Sequence, residues 1–373
     1  MPQPRHVAHL HTRMEWGGGE YQVAHLVRAL QASGAATTLW ATRGGLLMSH
    51  AIEHELPAHV LPNLWWLPLG EIPLCRQLAR DGVDLLHCHD SRALSLGISI
   101  RKRLGAPLIL ARRVASPLRS NPLSRAKYSP RHMDAVIAIS ETVREVFCRS
   151  GFPEERVFVV PSGLDLAALD RLVRDESFRR PFGTGQVIAG IGKLAPKKNW
   201  PFLIRTAASV AAAGIEAQWL LVGDGPDLSK LEAMARDLGV ASRVHFMGFR
   251  SDAAQILKNC DLLFFPSIRE GASVTVRQAM VLGIPVVAVD AAGTAESLDG
   301  HGWLISSDDV DGATRAVVEA LTDAVKREAI CRAARHSARD RFAFERTLQG
   351  TLEVYASVLK GNAREVNLDS PNL

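Results

Sequence analysis

The chain has 373 residues, 47% of them apolar and 22% charged, a balance that excludes a disordered or fibrous protein and gives each half material for its own core. Lys and Arg outnumber Asp and Glu by 44 to 39, for a net charge of +5. The amino-terminal stretch lacks an apolar signal segment, no run reaches the about 18 apolar residues of a membrane span, and the five cysteines (Cys75, Cys88, Cys148, Cys260, Cys331) form no C-x-x-C pair. The expectation is a cytoplasmic, reduced protein without disulfides or a zinc ribbon.

Along the chain, short apolar runs occur at 6–11, 36–40, 85–88, 108–111, 135–139 and 157–160. After a polar interval they resume at 187–191, 219–222, 244–246, 262–265 and 286–289. Such runs, apolar on both faces, suit buried parallel strands, and the intervals between them hold crossover helices. In one of these, Leu228, Leu231, Met234, Ala235 and Leu238 recur at helical spacing. The predicted fold is α/β, two doubly wound Rossmann-like domains facing a central cleft. The first domain is placed at 1–166, a polar strandless linker at 167–185, and the second domain at 186–341. A helix at about 342–359 is expected to pack back on the first domain, and 360–373, which has no periodicity, to be frayed.

Four segments carry candidate chemistry. Gly17-Gly18-Gly19-Glu20 falls between the first strand and its helix, where backbone N–H groups can approach an anion; a plain flexible turn would look the same. His87-Cys88-His89-Asp90 ends the strand at 85–88, with His87 and His89 on one side by alternation. H-x-H could ligate a metal, but no third ligand can be named, and a substrate contact or a structural histidine fits equally.

The third segment, Gly192-Lys193-Leu194-Ala195-Pro196-Lys197-Lys198-Asn199, follows the strand at 187–191. Asn199 is placed to cap the next helix, with Pro201 in its first turn. Three lysines and a helix N-terminus in one loop make a site for a diphosphate, although it is not a P-loop. Surface lysines are the alternative. In the fourth, Glu270-Gly271-Ala272-Ser273-Val274 leads into a helix whose free N–H groups can meet an anion or hydroxyls. Gln278, just over two turns along, shares its face, so carboxylate and amide could both bind sugar hydroxyls. Glu270 as a cap and Gln278 in solvent is the other reading.

From Arg101 to Arg131 there are nine basic residues and no acidic one. This is either a solvated face or a patch for an anionic partner; without a recognised motif, nucleic acid is not expected.

In this order, the four segments resemble the retaining glycosyltransferases of family 4 (glycosyl transferases group 1), which have the GT-B fold. The resemblance extends through Pro161-Ser162-Gly163-Leu164-Asp165, close to the family's P-N-G-x-D, and Val222-Gly223-Asp224-Gly225-Pro226. It continues through Val244-His245-Phe246-Met247-Gly248, Gly293-Thr294-Ala295-Glu296 and His301-Gly302-Trp303-Leu304. It implies transfer of a sugar from a nucleotide-diphosphate donor with retention at the anomeric carbon and without a metal or other cofactor.

By position, the resemblance implies that Lys193 (the family's usual Arg), Lys198, Glu270 and His89 act on the donor. Gly18, Gly19, Gly192, Gly271, Ala272, Ser273, Val274 and Gln278 would bind it, and Phe249 and Arg250 would border the base. Gln278 replaces the second Glu of E-x7-E, and Arg277 stands where the family often has an apolar residue. The one D-x-D, Asp309-Val310-Asp311, reads as a helix start, in keeping with metal-independence.

The acceptor would be a glycan or lipid-linked molecule met by Arg112, Arg113 and Arg119, with Trp65, Trp66 and Tyr128 as exposed aromatics. That patch could also bring the protein to the inner, anionic face of the membrane. Lipopolysaccharide or surface-polysaccharide assembly is the implied setting. The alternatives are a non-hydrolysing nucleotide-sugar epimerase and a non-catalytic nucleotide-sugar-binding descendant. A nicotinamide oxidoreductase is disfavoured because G-x-G-x-x-G with its acidic partner is missing.

Overall fold

The structure, a computed structural model, describes residues 4–62, 70–118, 126–179, 182 and 185–368. The chain divides into two compact units: unit 1, Met1–Gly163 with Glu345–Leu373, and unit 2, Leu164–Phe344. Each is built on a parallel sheet.

Unit 1 holds β1 (His6–His11), β2 (Ala36–Ala41), β3 (Ala58–Val60), β4 (Leu85–Cys88), β5 (Leu108–Arg112), β6 (Ala135–Ala138) and β7 (Val157–Val159) in the order β3-β2-β1-β4-β5-β6-β7. Unit 2 holds β8 (Gln186–Ile191), β9 (Ala217–Val222), β10 (Val244–Gly248), β11 (Leu262–Phe265), β12 (Val286–Val289) and β13 (Trp303–Ile305) in the order β10-β9-β8-β11-β12-β13. Strand order reverses between β1 and β4 in one sheet and between β8 and β11 in the other. These are the crevices where doubly wound sheets bind ligands.

Eleven of these strands fall on the predicted apolar runs. The edge strands β3 and β13 do not, because each is three residues long and carries an exposed position, His59 or Leu304, at its centre. In unit 2 the sheet buries both faces. Ile188, Trp219, Leu221 and Phe264 pack on one side, and Val187, Leu220, Leu263 and Phe265 on the other. Burial on both faces removes the alternation that would have marked a half-exposed sheet.

The helices that matter to the site are α1 (Gly18–Ala32), α2 (Ser91–Leu104), α3 (Trp200–Ala212), α4 (Val274–Leu282) and α5 (Phe344–Leu368). The linker region is strandless and holds two short helices, Leu166–Asp170 and Glu176–Arg179. Helix α5 joins unit 1 by a hydrogen bond from Thr347 Oγ1 to the Pro161 carbonyl (2.8 Å) and by Tyr355, which is fully buried. It runs to Leu368 rather than ending near 359, so residues 360–368, expected to fray, are helical. Among the described residues no helix is long and apolar enough to cross a membrane.

Candidate active site

In unit 2 the two loops at the β8/β11 switch point meet. The chain leaves β8 at Gly192 and turns through a 3-10 segment, Pro196–Lys198, into α3. Asn199 sits at the cap position but adopts φ 51° and makes no side-chain cap bond, so the expected capping is absent and the turn itself enters the helix. Trp200 Nε1 donates to the Lys193 carbonyl (2.9 Å) and holds the loop from beneath.

From the β11 side, Ser267 Oγ donates to Glu270 Oε1 (2.7 Å), and Glu270 forms an ion pair with Lys198 Nζ. The Lys198 ammonium also lies 5.0 Å from the centre of the Phe265 ring, whose negative face attracts it. Both partners are mostly buried, at 15% and 14% side-chain exposure, so the pair is only weakly screened. The Ile268 N–H donates to the Lys197 carbonyl (3.2 Å) and ties the two loops together. Lys193 and Lys197 are exposed.

Two motifs act from behind. A Cβ on Gly223 would lie 2.0 Å from the Gly192 carbonyl oxygen, and one on Gly225 2.2 Å from that of Leu194. A Cβ on Gly293 would lie 2.4 Å from the Gly271 oxygen and 2.5 Å from that of Glu270. These glycines let backbone pack directly against the two loops, which explains G-D-G and G-T-A-E as supports of the site.

Ser273 caps α4 by accepting from the Val276 N–H (3.4 Å), which leaves first-turn N–H groups beside Gly271 and Ala272 for a ligand. Gln278 is half-buried on the second turn. Arg277 is 3% exposed, with its guanidinium 4.3 Å from the centre of the Phe342 ring. Burial is the main force pulling its pKa to about 10, with Arg341 pushing the same way and Glu296 opposing. Its place is therefore structural, under α4, and the apolar preference at that position is met by its stem and the ring. Phe249 (68% exposed) and Arg250, which is paired with Asp252 at 2.6 Å, follow β10 at the same edge of the sheet. Asp309 caps the helix Val310–Thr322 by accepting from the Gly312 N–H (2.9 Å), as the D-x-D reading anticipated.

In unit 1 the β1/β4 switch point is lined with histidine. Gly18 and Gly19 are not in a loop but form the first turn of α1, with Gly17 as an extended cap. Asp90 accepts from the Thr12 N–H and hydroxyl, both at 2.6 Å, and caps α2, locking the end of β4 to the turn after β1. Glu20 on α1 meets His11 Nε2 at 3.0 Å and Arg13 at 3.5 Å. Burial opposes its ionisation, but these two partners outweigh burial and hold the carboxyl below its ordinary pKa.

His9 is in register with His87 across β1 and β4, and its ring lies nearly coplanar with that of His89, ring centres 5.2 Å apart and planes 9° apart. His89 is 6% exposed, with Nε2 2.9 Å from His9 Nδ1 and Nδ1 3.1 Å from Arg113 Nη2. His87 Nδ1 meets the Tyr355 hydroxyl at 2.7 Å. His9 is thus the third histidine that the H-x-H spacing could not name, and the three could offer nitrogens within 4.8 Å of one another. A cation there would face the Arg113 guanidinium, whose positive charge disfavours it. Strand alternation over 6–11 already put His9 and His11 on one side; only the pairing of β1 with β4 brings them to His89.

The basic run is not one free surface. Arg101 pairs with Asp134 (2.8 Å) and Arg103 with Glu71 (3.3 Å), acidic residues outside the run. Arg112 donates to the Val114 and Ser116 carbonyls at 3.1 and 2.9 Å, and Arg113 turns inward to His89, its stem against Gly19. Tyr128, expected to be exposed, is 8% exposed beneath Arg112. Arg119, Trp65 and Trp66 lie outside the described residues.

Two doubly wound parallel units, each presenting its polar cluster at the strand-order reversal, define the GT-B class of α/β proteins. Residues 16–168 match the family model for Glycosyltransferase Family 4, and residues 185–323 match the one for Glycosyl transferases group 1. The chain belongs to the group 1 glycosyltransferases. It is 29% identical over 227 residues to EpsF of Bacillus subtilis, a glycosyltransferase by name, and 28% identical over 310 residues to the D-inositol 3-phosphate glycosyltransferase of Salinispora tropica. Those matches cover 60% and 74% of this chain, and 55% and 64% of the relatives, so the chain spans between half and two thirds of each relative's length. Among solved structures, Anabaena HepE in complex with UDP and glucose superposes with a TM-score of 0.82 over 95% of this chain and 100% of that one, at 22% identity.

Proposed function

We propose that the protein transfers a sugar from a nucleotide-diphosphate donor to a glycan or lipid-linked acceptor, with retention and without a metal. The observation that carries this reading is the Lys198–Glu270 pair on the loops that lead into α3 and α4. As a nucleoside diphosphate leaves, negative charge grows on the β-phosphate and positive charge on the sugar carbon. Lys198, Lys193 and backbone amides stabilise the first, while Glu270 binds sugar hydroxyls near the second. We assign His89, Gly18 and Gly19 to donor binding as well, and Phe249 and Arg250 to the border of the base. Gln278 would hold the ribose by neutral hydrogen bonds, since an amide both donates and accepts.

A UDP-bound structural relative and the cationic loop support a nucleotide donor. The test is a thermal-shift panel of UDP, GDP, ADP and their sugars, run with and without EDTA. One base should raise Tm by about 5 °C at a hundred times its Kd, and EDTA should leave both the shift and turnover intact. Loss of both in EDTA would refute metal-independence. Donor altered without acceptor would mean an epimerase, and binding without turnover a non-catalytic descendant; anomeric configuration of the product, read by NMR, tests retention.

An anionic acceptor fits the basic character of unit 1 and the inositol phosphate in the name of the Salinispora relative. Lipopolysaccharide or surface-polysaccharide assembly at the inner membrane face is the setting we infer. In liposome flotation, recovery should be several-fold higher with vesicles containing anionic lipid than with neutral ones. Equal recovery would remove the membrane contact.

A further inference from the structure

At the β1/β4 switch point, the hydrogen-bond pattern dictates where the protons of the histidines sit. Arginine offers only donors, so His89 Nδ1, 3.1 Å from Arg113 Nη2, must present its lone pair. Burial, reinforced by His87 and Arg113, lowers the His89 pKa well below its ordinary value, so the ring is neutral. Its one proton therefore lies on Nε2, which donates to His9 Nδ1 (2.9 Å). His9 is neutral too, as burial and Arg113 bring its pKa to about 3. Its own proton then lies on Nε2, a buried atom without a hydrogen-bond partner.

We propose that Arg113 and His9 are positioning residues for His89: Arg113 fixes the tautomer by occupying Nδ1, and His9 holds the Nε2–H until a hydroxyl of the transferred sugar replaces it as acceptor. This rests on the reading of His89 as a donor-sugar contact. It also separates the trio from a metal centre. With Nδ1 taken by Arg113 and Nε2 protonated, His89 has no lone pair left for an ion.

The test is 15N NMR of the full chain labelled in its histidine rings, with His89 assigned by the signals lost in His89→Gln. The Nε2–H tautomer is expected in the wild type and in Arg113→Gln, whose amide can still donate to Nδ1. A mixed or Nδ1–H state is expected in Arg113→Met. In kinetics, Arg113→Met should lower kcat about tenfold or more with donor KM within about threefold, and Arg113→Gln should regain part of that loss. An Nδ1–H tautomer in the wild type overturns the proposal, as does loss of the Nε2–H signal on adding Zn2+ in a stoichiometric complex. Equal losses in the Gln and Met variants would assign Arg113 to an anionic ligand instead. Full turnover in His89→Ala with the wild-type tautomer intact would sink the sugar contact itself. A wrong tautomer with turnover lost in His89→Ala would sink the relay alone.

Discussion

Lys198→Ala is expected to lower donor turnover by about two orders of magnitude or more, the scale of losing one preorganised group that stabilises a developing anion. Lys198 is held in place before any substrate arrives. Glu270 pairs with it, the Phe265 ring lies 5.0 Å away, and the loop on which it sits is pinned to that of Ile268 by a backbone bond. Little reorganisation is then needed when the leaving diphosphate takes over part of the charge. Because that charge grows only as the sugar–phosphate bond breaks, the loss should fall mainly on kcat, with a smaller change in donor KM. Removing the lysine also leaves the Glu270 carboxylate with Ser267 as its remaining partner, so a marked loss of stability is expected as well. Circular dichroism and Tm separate the two effects. Near-normal turnover in a folded Lys198→Ala protein would refute the assigned role and, with it, the electrostatic account of the reaction.

Much of this site was readable from the chain, and the unreadable part has a common physical cause. The loops at 192–199 and 270–274 announce themselves because the glycines, lysines and helix starts that make them are contiguous. The two doubly wound units followed from alternation of apolar runs with helices, since buried parallel strands need no side-chain code beyond apolarity. What sequence spacing could not supply was every contact made across strands. His9 sits 80 residues from His89 and Arg113 another 24 beyond, and only the β1–β4–β5 pairing brings them together. The same holds for Tyr355, 268 residues from His87. The basic run was only partly legible for the reverse reason: its basic residues lie close in sequence, but the acidic partners of Arg101 and Arg103, Asp134 and Glu71, come from outside it. Arg277 looked anomalous for the same reason, since the Phe342 ring that accommodates it enters from another element.

Gly223→Ala should be the most damaging of the conservative changes, although the residue bears no chemistry. Its φ of +149° is strained for any side chain, and the added Cβ would fall 2.0 Å from the Gly192 carbonyl oxygen. Backbone cannot yield as a flexible side chain can. Relief requires the end of β9 to part from the loop after β8, at the expense of the bonds from Gly192 N–H to Val222 O (2.9 Å) and from Leu194 N–H to Asp224 O (2.8 Å). Strain and clash together should cost about 3 kcal/mol, a fall of about 6 °C in Tm. Turnover should fall at least about tenfold in the protein that remains folded, because a shift of one ångström in the loop displaces both Lys193 and Lys198 from the leaving group. Gly239→Ala isolates the strain. Its φ is +69°, and nothing lies within 4 Å of the new Cβ, so about 1 kcal/mol is expected with turnover unchanged. If the two variants melted at the same temperature and turned over donor equally well, the close approach of Gly223 to Gly192 would not be what holds the phosphate loop.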